Sequence, residues 1–218
     1  MMKFCLCGLL CSVCLLAFTP PVLAQTVPGP AFQAGDLLFR VRAIGVLPEN
    51  FSSSVSAIGG HVKATDQAAP EIDLSYFLTD HLAVEGIAAT TRHEISATGT
   101  AAGRVDVGSV WVLPPTVALQ YHFSSITGFQ PYVGAGLTVA FFYDSHPAGP
   151  TVTKVGYSTA AGPTLDAGFD YALGQNWYAN FDVKQMFIST KARINGGAIV
   201  ANTALSPTVV GAGIGFRF

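Results

Sequence analysis

Leu113-Pro-Pro-Thr-Val-Ala-Leu-Gln-Tyr-His-Phe123 reads in twos. Leu113, Pro115, Val117, Leu119, Tyr121 and Phe123 share one face of an extended chain, and Thr116, Ala118, Gln120 and His122 share the other, because successive strand side chains point to opposite sides. The same parity returns along the chain. Ile72, Leu74 and Tyr76 oppose Glu71, Asp73 and Ser75, and Phe181 and Val183 oppose Asn180, Asp182 and Lys184. Leu165, Ala167, Phe169 and Tyr171 oppose Asp166, Gly168 and Asp170, while Phe39, Val41 and Ala43 oppose Arg40 and Arg42. Alternating runs bounded by turn residues are strand signals. They predict eight strands, at 36–46, 70–78, 82–91, 107–123, 129–143, 159–173, 177–189 and 207–218. No run shows convincing helical spacing, although 47–57 has room for a short helical turn.

The connections alternate in length. Segments 47–69, 92–106, 144–158 and 190–206 are long, whereas 79–81, 124–128 and 174–176 are short. In an up-and-down antiparallel sheet, successive connections fall at opposite ends, so one end collects every short turn. Transmembrane barrels have this asymmetry, with short periplasmic turns and long extracellular loops. The aromatics sort the same way. Tyr76, Phe77, Tyr121, Phe123, Phe129, Tyr132, Tyr171, Trp177, Tyr178, Phe216 and Phe218 gather near the short turns or the C-terminus; Trp111, Phe141, Phe142, Tyr143 and Phe187 gather at the opposite end. Two such rings mark the two headgroup boundaries of a membrane barrel. A soluble barrel capped by core aromatics is the alternative, but core aromatics need not sort by strand end.

Composition agrees with export to a membrane. Of the 218 residues, 1–24 carry an early Lys3, an apolar run and small or apolar residues before Gln25, the pattern of a cleaved signal peptide. Residues 25–218 then form a single barrel domain. All four cysteines (Cys5, Cys7, Cys11 and Cys14) lie in the removed part, which leaves no disulfide, thiolate or cysteine metal site. Neither Cys11 nor Cys14 follows the small residue a lipoprotein needs. Charged residues make up 11% of the chain, against about 25% in ordinary globular proteins. There is no basic patch, so nucleic acid is not an expected partner. No segment after the leader approaches the ~20 apolar residues of a membrane helix; the best, 131–143, is interrupted by Pro131, Gly134 and Gly136.

These readings give an all-β, eight-stranded antiparallel up-and-down transmembrane β-barrel with lipid on the apolar face. The polar face must then line the lumen. Arg40, Arg42, Asp73, Glu85, Gln120, His122, Asp166, Asp170, Asp182 and Lys184 are the expected lumen network, paired because an isolated charge there would cost several kcal/mol. Closure is required in lipid, since an open edge would leave backbone groups unsatisfied. Ile214, Phe216 and Phe218 alternate at the end of the last strand, a pattern that resembles the signal by which outer-membrane barrels are recognised for assembly.

Trp111-Val-Leu-Pro-Pro-Thr-Val-Ala-Leu-Gln-Tyr-His-Phe123, Pro131-Tyr-Val-Gly-Ala-Gly136, Trp177-Tyr-Ala-Asn-Phe-Asp-Val-Lys184 and Gly213-Ile-Gly-Phe-Arg-Phe218, with Val84-Glu85, make the chain similar to the OmpW family of small outer-membrane proteins. The similarity spans essentially the whole chain after the leader. It implies an eight-stranded barrel and a role in passing small hydrophobic compounds across the outer membrane. The family's gate residues do not carry over, because the loops show no clear match.

Pro114 and Pro115 stand inside a strand, where proline is normally confined to edges or bulges. Adjacent residues aim their N–H groups at opposite neighbours, so the pair removes one ladder donor on each side. Two readings stay open: a weak lateral seam in the barrel wall, or a rim bulge that re-aims the strand.

Familiar catalytic patterns are not found. His61, His81, His93, His122 and His146 have no metal-ligand spacing, and no metal or cofactor is expected. The glycines at 211, 213, 215, 134 and 136 lack a strand–turn–helix setting and suit close backbone packing. Asp166 and Asp170 lie about 13 Å apart along an extended strand, too far for a glycosidase pair. His122 and Ser124 loosely resemble the His-x-Ser pair of lipid A deacylases, without an evident orienting acid. An eight-stranded lumen is only wide enough for side chains to fill. The expected function is therefore a narrow conduit in which long loops, with Leu47, Phe51, Val55, Ile58 and Trp111 as apolar lining, capture a small hydrophobic solute that leaves sideways. A receptor barrel binding a host factor, phage or bacteriocin is the rival, and a lipid A-modifying enzyme is the weaker one.

Overall fold

The computed structural model describes residues 31–49, 53–56 and 58–218; the expected leader 1–24 and Phe51 lie outside them. In chain order the strands are β1 (Leu37–Leu47), β2 (Ser53–Val55), β3 (His61–Ala64), β4 (Gln67–Phe77), β5 (Leu82–Ala89), β6 (Thr91–Thr100), β7 (Gly103–Leu113) and β8 (Thr116–His122). They continue with β9 (Phe129–Pro147), β10 (Val155–Tyr157), β11 (Ala160–Gly174), β12 (Trp177–Met186), β13 (Ser189–Ile194), β14 (Ile199–Ala204) and β15 (Thr208–Arg217). Eight of them close a barrel in the order β1, β4, β5, β8, β9, β11, β12, β15, every neighbouring pair antiparallel. β15 returns to β1 with Ile214 opposite Val41, so no barrel edge is left open to lipid.

The parity read from the sequence becomes inside and outside. On β8, Val117, Leu119 and Tyr121 are exposed, Leu119 at 51%, while Thr116, Ala118, Gln120 and His122 are buried, Gln120 at 0%. An apolar belt of this extent in water would be an association hazard; against acyl chains it is the stable arrangement.

Two expectations are corrected. The long connections are not irregular loops. β5 passes through Thr90 into β6 without a register break, Ile87 facing Thr116 and Thr91 facing Val112, and β6 turns back into β7 beyond the barrel. Together β3, β6 and β7 extend the wall outward from β9, and β10, β13, β14 and β2 form a second, four-stranded sheet at the same end. Register shifts between Ile95 and Ser96 and between Ala97 and Thr100 break the period-2 signal in β6, which is why 92–106 reads as loop. Likewise the strand expected at 107–123 is two strands, β7 and β8, separated by Pro114-Pro115.

The second correction concerns the lower aromatic ring. Phe77, Tyr132 and Tyr178 point inward and are almost wholly buried. With Phe32, from the chain just before β1, they plug the short-turn end: Phe32 lies 4.4 Å from Phe77 and 4.8 Å from Tyr178, centroid to centroid. Tyr76, Tyr121, Phe123, Phe129, Tyr171, Trp177 and Phe218 remain on the outside. Phe216 packs between Trp177 and Phe218 at 5.0 and 4.9 Å, and Ile214 is exposed on the same face. At the other girdle Trp111 stacks on Tyr143 at 6.2 Å, whereas Phe142 lines the interior.

Candidate functional site

The lumen is layered. Directly above the aromatic plug, the inward residues of β1, Arg40 and Arg42, meet acids from four other strands. Arg40 holds Asp170 through Nε and Nη2 at 3.0 and 2.8 Å, and Asp73 through Nη1 at 2.8 Å. Arg42 contacts Glu71 at 3.0 Å, Asp73 at 2.8 Å and Glu85 at 3.2 Å. Lys184 bridges Glu71, at 3.1 Å, and Asp182. Gln120 donates to both Glu85 and Asp166 at 2.8 Å, and Tyr132 donates to Asp182 at 2.9 Å. All these charged groups are buried, so removing one partner would strand another charge away from water. Neutral side chains complete the layer: Asn180 donates to Asp170 at 3.0 Å and Ser75 accepts from Arg40 at 2.9 Å.

Glycines on β15 make this layer possible. Arg42 faces Gly213 and Arg40 faces Gly215 across the β1–β15 pair. A Cβ at Gly213 would collide with the Val41 carbonyl and the Arg42 backbone, and one at Gly215 would press on the Arg40 stem. Close packing is thus the role of this glycine run.

Above the charges, the hydroxyls of Thr116, Thr138 and Thr164 form a chain, and then the lumen turns apolar. Ile44, Val46, Ile87, Ala89, Val110, Val112, Phe142, Met186, Ile188 and Val209 enclose a cavity of ≈ 80 Å³ with Glu71 at its floor. At about 10–15 Å³ per water-sized sphere, this is room for a slim molecule. The expected lining is placed elsewhere. Leu47 is exposed, Trp111 is engaged with Tyr143, and Val55 and Ile58 pack in the apolar cluster of the extracellular sheets. None of these four touches the chamber. The chamber residues sit on the inward parity of the same strands, a signal available in the sequence for Ile44, Val46 and Met186 but hidden in β13 and β14 by reading them as loop.

Pro114 and Pro115 lie where chamber and lipid come closest. Pro114 lines the chamber; Pro115 lines a groove on the outer surface with Phe39, Ile72, Leu74, Ala88 and Val117. Val139 N–H donates to the Pro115 carbonyl at 3.0 Å, but Pro115 has no N–H to return. Hydroxyls take over nearby carbonyls: Thr116 Oγ1 donates to Pro114 O at 3.2 Å, and Thr90 Oγ1 to Val112 O at 3.3 Å. Register is unbroken across the pair, with Leu113 opposite Phe141 and Thr116 opposite Thr138, so the prolines are not a bulge.

His122 is enclosed by Phe32, Phe77 and Tyr132, and its Nε2 lies 3.2 Å from Gln120 Oε1. Ser124 is exposed beyond the strand, and the two are not brought together as base and nucleophile. One rung above the Trp111 girdle, His93 donates from Nδ1 to the Thr65 carbonyl at 2.7 Å, and its Nε2 lies 2.8 Å from Thr91 Oγ1. Burial pushes the His93 pKa below the ordinary imidazole value.

The sequence pattern of the OmpW family matches residues 33–218. An uncharacterised outer-membrane protein of Sinorhizobium fredii, y4mB, is 36% identical over 95% of this chain and 91% of its own length. Outer membrane protein W of Vibrio cholerae is 33% identical over 90% of this chain and 96% of its own. The crystal structure of OprG from Pseudomonas aeruginosa is similar with a TM-score of 0.77 at 28% identity, covering 89% of this chain and 98% of that one.

Proposed function

The chain belongs to the OmpW family of outer-membrane barrels, and from that premise we propose that it passes small hydrophobic molecules from the outer surface into the membrane plane. The observation that carries this reading is the stacking of an apolar chamber on a sealed ionic floor, with Pro114 in the chamber wall and Pro115 behind it facing lipid. A hydrophobic solute is stable in the chamber but not among Arg40, Arg42 and the six acids below it, where it would displace charge-assisted bonds. Axial travel is blocked twice, by that layer and by the Phe32 plug. The wall at Pro114-Pro115 lacks ladder donors and is the cheapest place to part. Ile214, Phe216 and Phe218 remain the proposed contact with the barrel-assembly machinery.

The test is uptake of an apolar solute by a deletion strain carrying the wild-type protein or Ala89→Trp, which fills the chamber beside the seam. The wild type restores uptake and Ala89→Trp does not, at equal amounts of folded barrel. Uptake indifferent to the protein for every apolar compound tried would remove the reading.

A further inference from the structure

Two polar atoms do not fit a chamber built only for hydrocarbon. Tyr157 Oη and Thr203 Oγ1 are buried and meet no hydrogen-bond partner among the described residues, and both residues line the chamber. They reach it from one face of the small extracellular sheet. Tyr157 on β10 lies opposite Ala192, Ala192 opposite Ala201, and the next same-face rung pairs Thr190 with Thr203. Neither hydroxyl is placed by accident of exposure: Thr203 is 5% exposed, and the Tyr157 ring is held by stacking on Phe142 at 5.5 Å. Thr190, beside them, already donates to the Ser158 carbonyl at 2.7 Å. Buried hydroxyls left unpaired are costly and uncommon, so two converging on one cavity point to a ligand that completes them.

We propose that Tyr157 and Thr203 form the head-group subsite of the chamber, and that its ligand is a slim hydrocarbon bearing one neutral oxygen function, an alcohol or carbonyl. The inference rests on the conduit reading and narrows its substrate class. Neutrality follows from the lining. Among the described residues its only ionisable groups besides the phenol are Glu71 and His93, with no Lys or Arg to receive a carboxylate, which would enter uncompensated. Burial pushes the Tyr157 phenol above its ordinary range, so it remains an O–H donor. Thr203 can donate or accept, and the pair therefore serves either an alcohol or a carbonyl. A bare alkane fits the walls but leaves both hydroxyls unpaired.

The test titrates the intact barrel in lipid nanodiscs with 1-octanol, n-octane and octanoate, following the methyl NMR signals of Ala192 and Val110 in the chamber. Leu119, facing lipid, reports simple partitioning. Octanol should shift the chamber signals at lower concentration than octane or octanoate. Tyr157→Phe and Thr203→Val, each keeping the shape, should each weaken octanol roughly three- to tenfold and leave octane unchanged. Octane binding as tightly as octanol, or either variant leaving octanol unaffected, overturns the subsite while the conduit stands. Shifts confined to Leu119 for all three compounds overturn both.

Discussion

Leu119 and Gln120 are neighbours in the chain and opposites in environment, one half exposed to lipid and the other bonded to two acids. Leu119→Arg puts a cation against acyl chains and should cost about 2–4 kcal/mol if it lies near mid-bilayer. Gln120→Arg joins a layer in which three cations, Arg40, Arg42 and Lys184, face Glu71, Asp73, Glu85, Asp166, Asp170 and Asp182, and it should be much milder. Urea unfolding in lipid vesicles measures both, and equal damage would reject the assignment of faces. This scale was the most legible in sequence. Parity puts every charged member of the ion layer on one face, because a charge alternating with residues that face lipid has nowhere to go but a lumen; Glu71 shares that face but is missing from the expected network. Phe77, Tyr132 and Tyr178 escaped it. Their neighbours Tyr76, Val133 and Trp177 are also apolar, so parity there carries no contrast.

At the scale of elements, the closure of eight strands was readable and the extracellular sheets were not. Strands β6 and β7 carry Arg92, Glu94, Arg104 and Asp106 on their outer face and shift register twice, so polarity and lost period both imitate a loop. Their packing has a pH signature. His93 ties β6 to Thr65, just before β4, as a neutral ring. Burial lowers its folded pKa, with the Thr65 hydrogen bond and then Asp66 opposing less strongly, while an unfolded imidazole titrates at about 6.5. The stabilisation is therefore complete above that value and is lost as pH falls from it through the depressed folded pKa. The contact in which Thr65 N–H donates to the Glu94 carbonyl at 3.1 Å reports on it. Its amide, corrected for intrinsic exchange, should exchange faster at pH 5 than at pH 7.5, and His93→Gln should abolish the difference. Identical protection at both pH values would show that His93 does not hold this junction.

For the whole molecule, the vertical order of the lumen matters more than any one residue: aromatic plug, ion layer, threonine hydroxyls, apolar chamber. That order was only partly visible beforehand. The sequence places residues on faces, but the height at which β13 and β14 join β1 in lining the chamber depends on strand tilt and long-range register, which no local pattern encodes. The order is also what turns a filled barrel into a one-ended vessel whose contents must leave through the wall. Register continued from Ile87–Thr116 sets Ala88 opposite Pro115 on the lipid face, and Val139 bonding Pro115 from the other side makes this the close, non-hydrogen-bonded kind of pair, about 4.5 Å between Cα atoms, within disulfide reach. The described residues contain no cysteine, so Ala88→Cys with Pro115→Cys gives a staple across the seam that can be closed and reopened in one protein. Uptake of an apolar solute by cells carrying this variant, oxidised and then reduced, is the most direct measurement. Loss of uptake on oxidation and its return on reduction is the predicted result; equal uptake in both states would contradict lateral exit at the prolines.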